Sequence, residues 1–83
     1  MENSNERMFI VEEVIHSWGR RIRGFRKLKG MTQIELAEAI HISPSVLSKI
    51  ERGHMFPAIH LLEKIASVLN IDVAEIKLHQ MNE

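Results

Sequence analysis

The stretch "TQIELAEAIHISPSVLSKIERG", Thr32–Gly53, contains two short helices, each with its own start and stop signals. Thr32-Gln33-Ile34-Glu35 is a capping box: the Thr32 hydroxyl can accept from the Glu35 amide, and the Glu35 carboxylate can reach back. The first helix then runs to about Ile40, with Leu36, Ala37 and Ile40 inward. His41-Ile42 forms a tight turn. Ser43 can cap the second helix, Pro44 suits its first turn, and Gly53 can end it. Leu47 and Ile50 make up its small buried face. Two helices joined by so few residues must cross steeply, which is a helix-turn-helix signature. The other face of the second helix carries Pro44, Ser45, Val46, Ser48 and Lys49. These are small, partly apolar and nearly uncharged, unlike an ordinary solvated surface.

Working outward, His54-Met55-Phe56 reads as a loop, and Pro57 as the favoured first-turn residue of another helix. Leu61, Leu62, Ile65, Ala66 and Leu69 give that helix an apolar face, and Asn70 can take the left-handed conformation at its end. Asp72 with Glu75 predicts a second capping box and a last helix from Val73 to about His79. On the N-terminal side, Met8, Val11, Ile15, Trp18, Ile22 and Phe25 are spaced 3, 4, 3, 4, 3. That spacing puts one apolar stripe on a single helical face. Ser17 and Gly19 interrupt the helix propensity, and Ser17 could cap a fresh helix, so two readings stand: one helix from about residue 5 to 29, or an arm followed by a helix from 18 to 29. Gly30 ends either. The division is an acidic and apolar arm or helix extension over 1–16, a helix-turn-helix domain over 17–79, and a tail over 80–83.

The chain has 83 residues, 45% of them apolar, and no cysteine. It is therefore one small, all-α domain, near the lower limit for burying a core unaided. It has no disulfides or thiolate metal site to help, and a reducing, cytoplasmic setting is compatible. No apolar run approaches ~18 residues, so neither a signal peptide nor a membrane span is expected. Net charge is zero, but it is unevenly distributed. Residues 1–16 carry four Glu and one Arg, net −3; residues 17–69 carry nine Lys/Arg and four Glu, net +5; residues 70–83 carry one Lys and three acids, net −2. A phosphate backbone meets the local field, not the total. The five His residues (16, 41, 54, 60 and 79) show no ligand spacing, and there is no HExxH. Neither a nucleophile–base constellation nor a Gly-rich phosphate loop is present. No metal, no cofactor and no enzyme activity are expected.

From Gly19 the sequence "GRRIRGFRKLKGMTQIELAEAIHISPSVLSKIERG", then Pro57 and "LLEKIASVLNI", resembles the lambda-repressor/Cro-type (XRE-type) helix-turn-helix domain. The resemblance covers roughly residues 18–78. It implies a compact bundle of about five short helices that binds operator DNA as a homodimer, with the second helix of the motif in the major groove. It also implies residue roles. Gln33 and Ser43 match phosphate-contacting positions. Pro44, Ser45, Val46, Ser48 and Lys49 match base-facing positions. Arg26 and Glu51 match an internal salt bridge. Arg23, Lys27 and Arg52, with Arg20, are expected near phosphate. The chemistry suits these roles: Lys49 can reach guanine O6 or N7, the Val46 methyls can pack on a thymine methyl, and the serines discriminate weakly. Three features depart from the family pattern. His41 stands where the turn usually has Gly. The loop after Gly53 is His-Met-Phe rather than basic. The apolar segment Met8–Ile15 precedes the usual domain start. Met8, Phe9, Val11 and Ile15 are expected to contact a second subunit or a protein partner, or else to cover the domain's own core. Val73, Ile76 and Leu78 offer a competing dimer surface. The expected function is sequence-specific transcriptional regulation, with repression as the default. The alternative is a protein-interaction module or an antitoxin-type regulator that binds a partner as well as DNA.

Overall fold

The computed structural model describes residues 4–78, with side chains from Val11 onward. Five helices follow in order: α1 (Ser4–Leu28), α2 (Gln33–Ala39), α3 (Pro44–Glu51), α4 (Ile59–Leu69) and α5 (Val73–Lys77). The described residues contain no strand. Of the two readings of the N-terminal third, the single helix is the one formed. Gly19 does not break it. Instead α3 ends against Gly19: a Cβ there would collide with the Ile50 carbonyl oxygen and stand 2.6 Å from that of Glu51. Glycine is needed there for close packing, and the helix tolerates its poor propensity.

The first four helices end in the same way. Each is followed by a residue with positive φ: Gly30 (75°), His41 (63°), Gly53 (79°) and Asn70 (59°). In each case that residue's N–H bonds three residues back, and the next N–H bonds five back. Examples are His41 to Glu38 with Ile42 to Ala37, and Gly53 to Ile50 with His54 to Lys49. This is the Schellman closure, which satisfies carbonyls that a helix end leaves unpaired. His41 adopts it despite its Cβ.

Two helix starts form as their sequences predict. Glu35 N donates to Thr32 Oγ1 at 3.0 Å and Thr32 N to Glu35 Oε1 at 2.8 Å, completing the capping box. Val46 N donates to Ser43 Oγ at 3.2 Å. The other two differ. Pro57 lies ahead of α4 instead of in its first turn; Ala58 takes the cap position without a side-chain bond, and Leu62 N closes onto Ala58 O. The preceding loop is held back because Phe56 packs edge-on against Trp18, centroids 5.0 Å apart. The Asp72–Glu75 capping box does not form. The Glu75 amide donates instead to the Asp72 backbone carbonyl at 2.9 Å, so no hydrogen is left for the side chain. α5 ends at Lys77, and His79 lies outside the described residues.

The core is a single cluster. Ile22 of α1 meets Leu36 and Ala37 of α2, Leu47 and Ile50 of α3, Leu62, Ile65 and Leu69 of α4, and Ile76 of α5. Burying a side chain of this size is worth ~1.5–3 kcal/mol. Every helix contributes, which is how so short a chain holds α2 and α3 at a fixed angle.

Candidate nucleic-acid interface

α3 is fixed in place at its C-terminal end by a buried ion pair. Arg26 Nε lies 2.7 Å from Glu51 Oε2 and Arg26 Nη2 lies 3.0 Å from Oε1, a two-pronged contact. Both residues are almost sealed from solvent, at 6% and 5% exposure. Gln33 Nε2 donates to the same Oε1 at 2.9 Å, and Arg26 Nη1 donates to the Met31 carbonyl at 2.7 Å. One carboxylate therefore ties α1, α2 and α3 together. Such a pair is stable only when its remaining polar atoms are also bonded, as they are here.

With α3 locked in this orientation, Ser45, Ser48, Lys49 and Arg52 fall at i, i+3, i+4 and i+7 and share one face. Ser45, Lys49 and Arg52 are exposed and Ser48 is half-buried. Pro44 and Ser43 are exposed at the head of the helix. Arg52 Nε donates to the Ser48 carbonyl and hydroxyl at 3.3 and 3.2 Å, so that hydroxyl already has an internal partner. Val46 lies off this stripe; it is half-buried and packs against the core. Its methyls therefore serve the interior as well as any outside contact. Gln33, expected beside phosphate, commits its side-chain amide to Glu51.

α1 adds a second stripe. His16, Arg20, Arg23 and Lys27 are spaced 4, 3, 4 and are all exposed. The first three line a cleft of about 720 Å³ whose far wall includes Arg52 and His54. Lys27 lies beyond its end. His16 covers Gly53 so closely that a Cβ on Gly53 would overlap the imidazole. Neither His16 nor His54 was expected in the site. The only sequence signal for His16 is its spacing from Arg20 and Arg23.

Of the expected contact residues on the N-terminal segment, Val11 is 51% exposed and Ile15 is half-buried. The Met8 and Phe9 side chains lie outside the described residues. At the other candidate dimer surface, Ile76 is buried, Val73 half-buried and Leu78 58% exposed. Among the described residues no helix is long and apolar enough to cross a membrane, and no three His, Asp or Glu side chains converge as metal ligands would.

The sequence model of the helix-turn-helix family HTH_3 matches residues 22–76. The chain is 52% identical over 59 residues to YazB, an HTH-type transcriptional regulator of Bacillus subtilis, an alignment spanning 71% of this chain and 86% of YazB. It is 41% identical over 58 residues to the immunity repressor protein of Bacillus phage phi105, covering 70% of this chain and 40% of that one. It is 45% identical over 56 residues to the regulator SinR of Bacillus subtilis, covering 66% of this chain and 50% of SinR. The chain thus spans most of YazB but half or less of the other two. Among solved structures, the clp gene regulator ClgR of Corynebacterium glutamicum superposes with a TM-score of 0.72 at 38% identity, covering 76% of this chain and 82% of that one. The restriction-modification controller protein C.AhdI of Aeromonas hydrophila gives 0.72 at 29% identity, covering 75% and 94%.

Proposed function

The chain belongs to the helix-turn-helix family HTH_3 and is a DNA-binding transcriptional regulator, and we propose that it acts as a homodimer on operator DNA, reading the major groove with α3. The observation that carries this reading is the Ser45–Ser48–Lys49–Arg52 stripe on a helix whose C-terminal end is clamped by Glu51 and whose opposite side buries Ile50. Lys49 is the strongest reader in it, with the ammonium suited to guanine O6 or N7. Ser45 adds a weaker contact, and Pro44 allows close approach. Phosphate contacts then set register and most of the salt-dependent affinity. The Ser43 hydroxyl accepts from Val46 and keeps its own proton to donate. The backbone N–H of Gln33 opens α2, where helix amides favour an anion. Arg23, Lys27 and Arg52 supply charge.

In the homodimer, two copies place their α3 helices in successive major grooves, ~34 Å apart. The exposed Val11 at the start of α1 supports a contact between copies there. Repression by occluding a promoter, in the cytoplasm, is the simplest mode of action; the phage phi105 relative is named an immunity repressor. Selection over random duplexes by gel shift tests the reading. It should enrich a site with two related halves one helical turn apart, and enrichment of no sequence would sink it.

A further inference from the structure

α5 covers only the second half of the apolar stripe on α1. Lys77 lies over the Trp18 ring and Arg21 Nε donates to the Glu75 carbonyl, so α5 rests on that side of the helix. Val11 and Val14 stand seven residues earlier, about two turns along the same side, and Val11 is exposed there. Next to this side α1 carries a hollow of about 340 Å³, lined by Arg20, Arg21, Gly24, Phe25 and Leu28. Arg21, Gly24, Phe25 and Leu28 are i, i+3, i+4 and i+7, the four positions that form a hole for one side chain of a facing helix. Among the described residues nothing fills it: Leu28 is 81% exposed, and a Cβ on Gly24 would meet nothing within 4 Å. Charge divides α1 in the same way. Ser4–His16 carries three Glu and one Arg, whereas Ser17–Leu28 carries four Arg, one Lys and no acid. An antiparallel partner helix sets each acidic half against a basic half; a parallel one sets like against like.

Resting on the homodimer reading above, we propose that this face of α1 is the interface between copies, and that its occupant is α1 of a second copy, packed antiparallel with the dyad at Ser17. Position 10 of one copy then lies over Gly24 of the other, and Glu13 lies against Arg20 and Arg21. α5 of each copy comes over Val11 and Val14 of the other, covering the half of the stripe that its own α5 leaves bare. The same arrangement orients the reading helices. Consecutive helical residues are about 100° apart, so Gly24 faces roughly a quarter-turn from Arg23, which lines the cleft beside α3. The dyad of two antiparallel helices is perpendicular to the plane that holds both, so it points the way Arg23 faces. Both α3 helices therefore look out from one side of the dimer, as a two-fold operator requires. A parallel pair has its dyad along the helices and would turn the two α3 faces away from each other.

The chain has no cysteine, so single-cysteine variants of the full chain report the contact directly. Ser17→Cys should be joined to its mate by a short bismaleimide. Leu28→Cys should not, because eleven residues from the dyad leave the two thiols roughly 33 Å apart. Leu28→Glu, at an exposed position that leaves the core intact, should raise the dimer dissociation constant roughly tenfold or more by sedimentation. In a dimeric wild type, joining at Leu28→Cys, or at neither position, overturns the proposal. A dimer broken by Leu78→Glu and untouched by Leu28→Glu assigns the contact to α5 and overturns it as well. Failure of the homodimer reading looks different: wild type would sediment as a monomer even with a selected operator duplex present, and the α1 interface would fall with it.

Discussion

Gln33 donates its side-chain amide to Glu51 Oε1, the same oxygen that accepts from Arg26 Nη2, at 2.9 and 3.0 Å. Gln33, which the resemblance places beside phosphate at the head of α2, is thus a strut between α2 and α3. The carboxylate is shared by both halves of the motif and by α1, so one buried charge adds to the apolar core in holding the crossing angle of the motif.

Glu51→Ala should cost about 3–5 kcal/mol of folding stability, because it strands the Arg26 guanidinium in the interior without its partner. Glu51→Gln keeps an acceptor for Arg26 and should cost less. Urea denaturation of the three proteins checks the order. Equal stability of Glu51→Ala and wild type would show that the pair does not hold the helices.

Gly19→Ala should destabilise the fold even though alanine is the better helix former by about 1 kcal/mol. The new methyl meets backbone carbonyls of Ile50 and Glu51, which cannot swing aside as a side chain could. Overpacking of this kind costs ~1–3 kcal/mol, so the net loss should fall at α1·α3. Gly24→Ala is the internal control: nothing lies within 4 Å of its added methyl, so it should stabilise. Thermal melts of both variants give the comparison.

The contrast between these glycines marks what the sequence could reveal. Caps and periodic stripes are local, so the Thr32 box, the Ser43 cap and the inward faces of α2, α3 and α4 were legible from spacing alone. Gly19 was misleading because its reason lies in α3, far along the chain. Pro57 and the Asp72–Glu75 pair carried correct local chemistry that tertiary packing and a backbone bond superseded. The resemblance pointed to Arg26 and Glu51, but nothing in the spacing joined Gln33 to them. The cleft was half legible: the charges were visible on α1, whereas His16 over Gly53 is a long-range contact that no window of sequence contains.

His41→Gly should stabilise the protein. His41 holds φ of 63°, where an L residue is strained by roughly 1–2 kcal/mol. Glycine relieves that strain and returns about half of the gain as unfolded-state entropy. A net increase near ~0.5–1 kcal/mol is expected by chemical denaturation. A decrease would mean the exposed imidazole makes a contact worth more than the strain.

Lys49→Glu should abolish operator binding while leaving the melting temperature and sedimentation behaviour of the chain unchanged. The side chain is exposed and lies outside the Glu51 network, so reversing its charge touches only the outward face. One good base contact is worth ~1–3 kcal/mol, and a carboxylate facing the duplex adds repulsion on top. Binding that survived the reversal would move the reading face away from the α3 stripe.

Val11→Glu distinguishes the two roles open to the first turns of α1. Val11 is half exposed, although it continues the inward stripe that runs through Ile15, Trp18 and Ile22. If a second copy covers it, the substitution removes ~1.5–3 kcal/mol of burial from each protomer and adds like charges across the contact. Sedimentation should then show monomers at concentrations where wild type is dimeric, with monomer stability unchanged, and operator affinity should fall because the two half-sites no longer bind as one unit. An undisturbed dimer would shift the contact to the other candidate surface, where Leu78 is the exposed apolar residue, and Leu78→Glu would then be the variant that separates the copies.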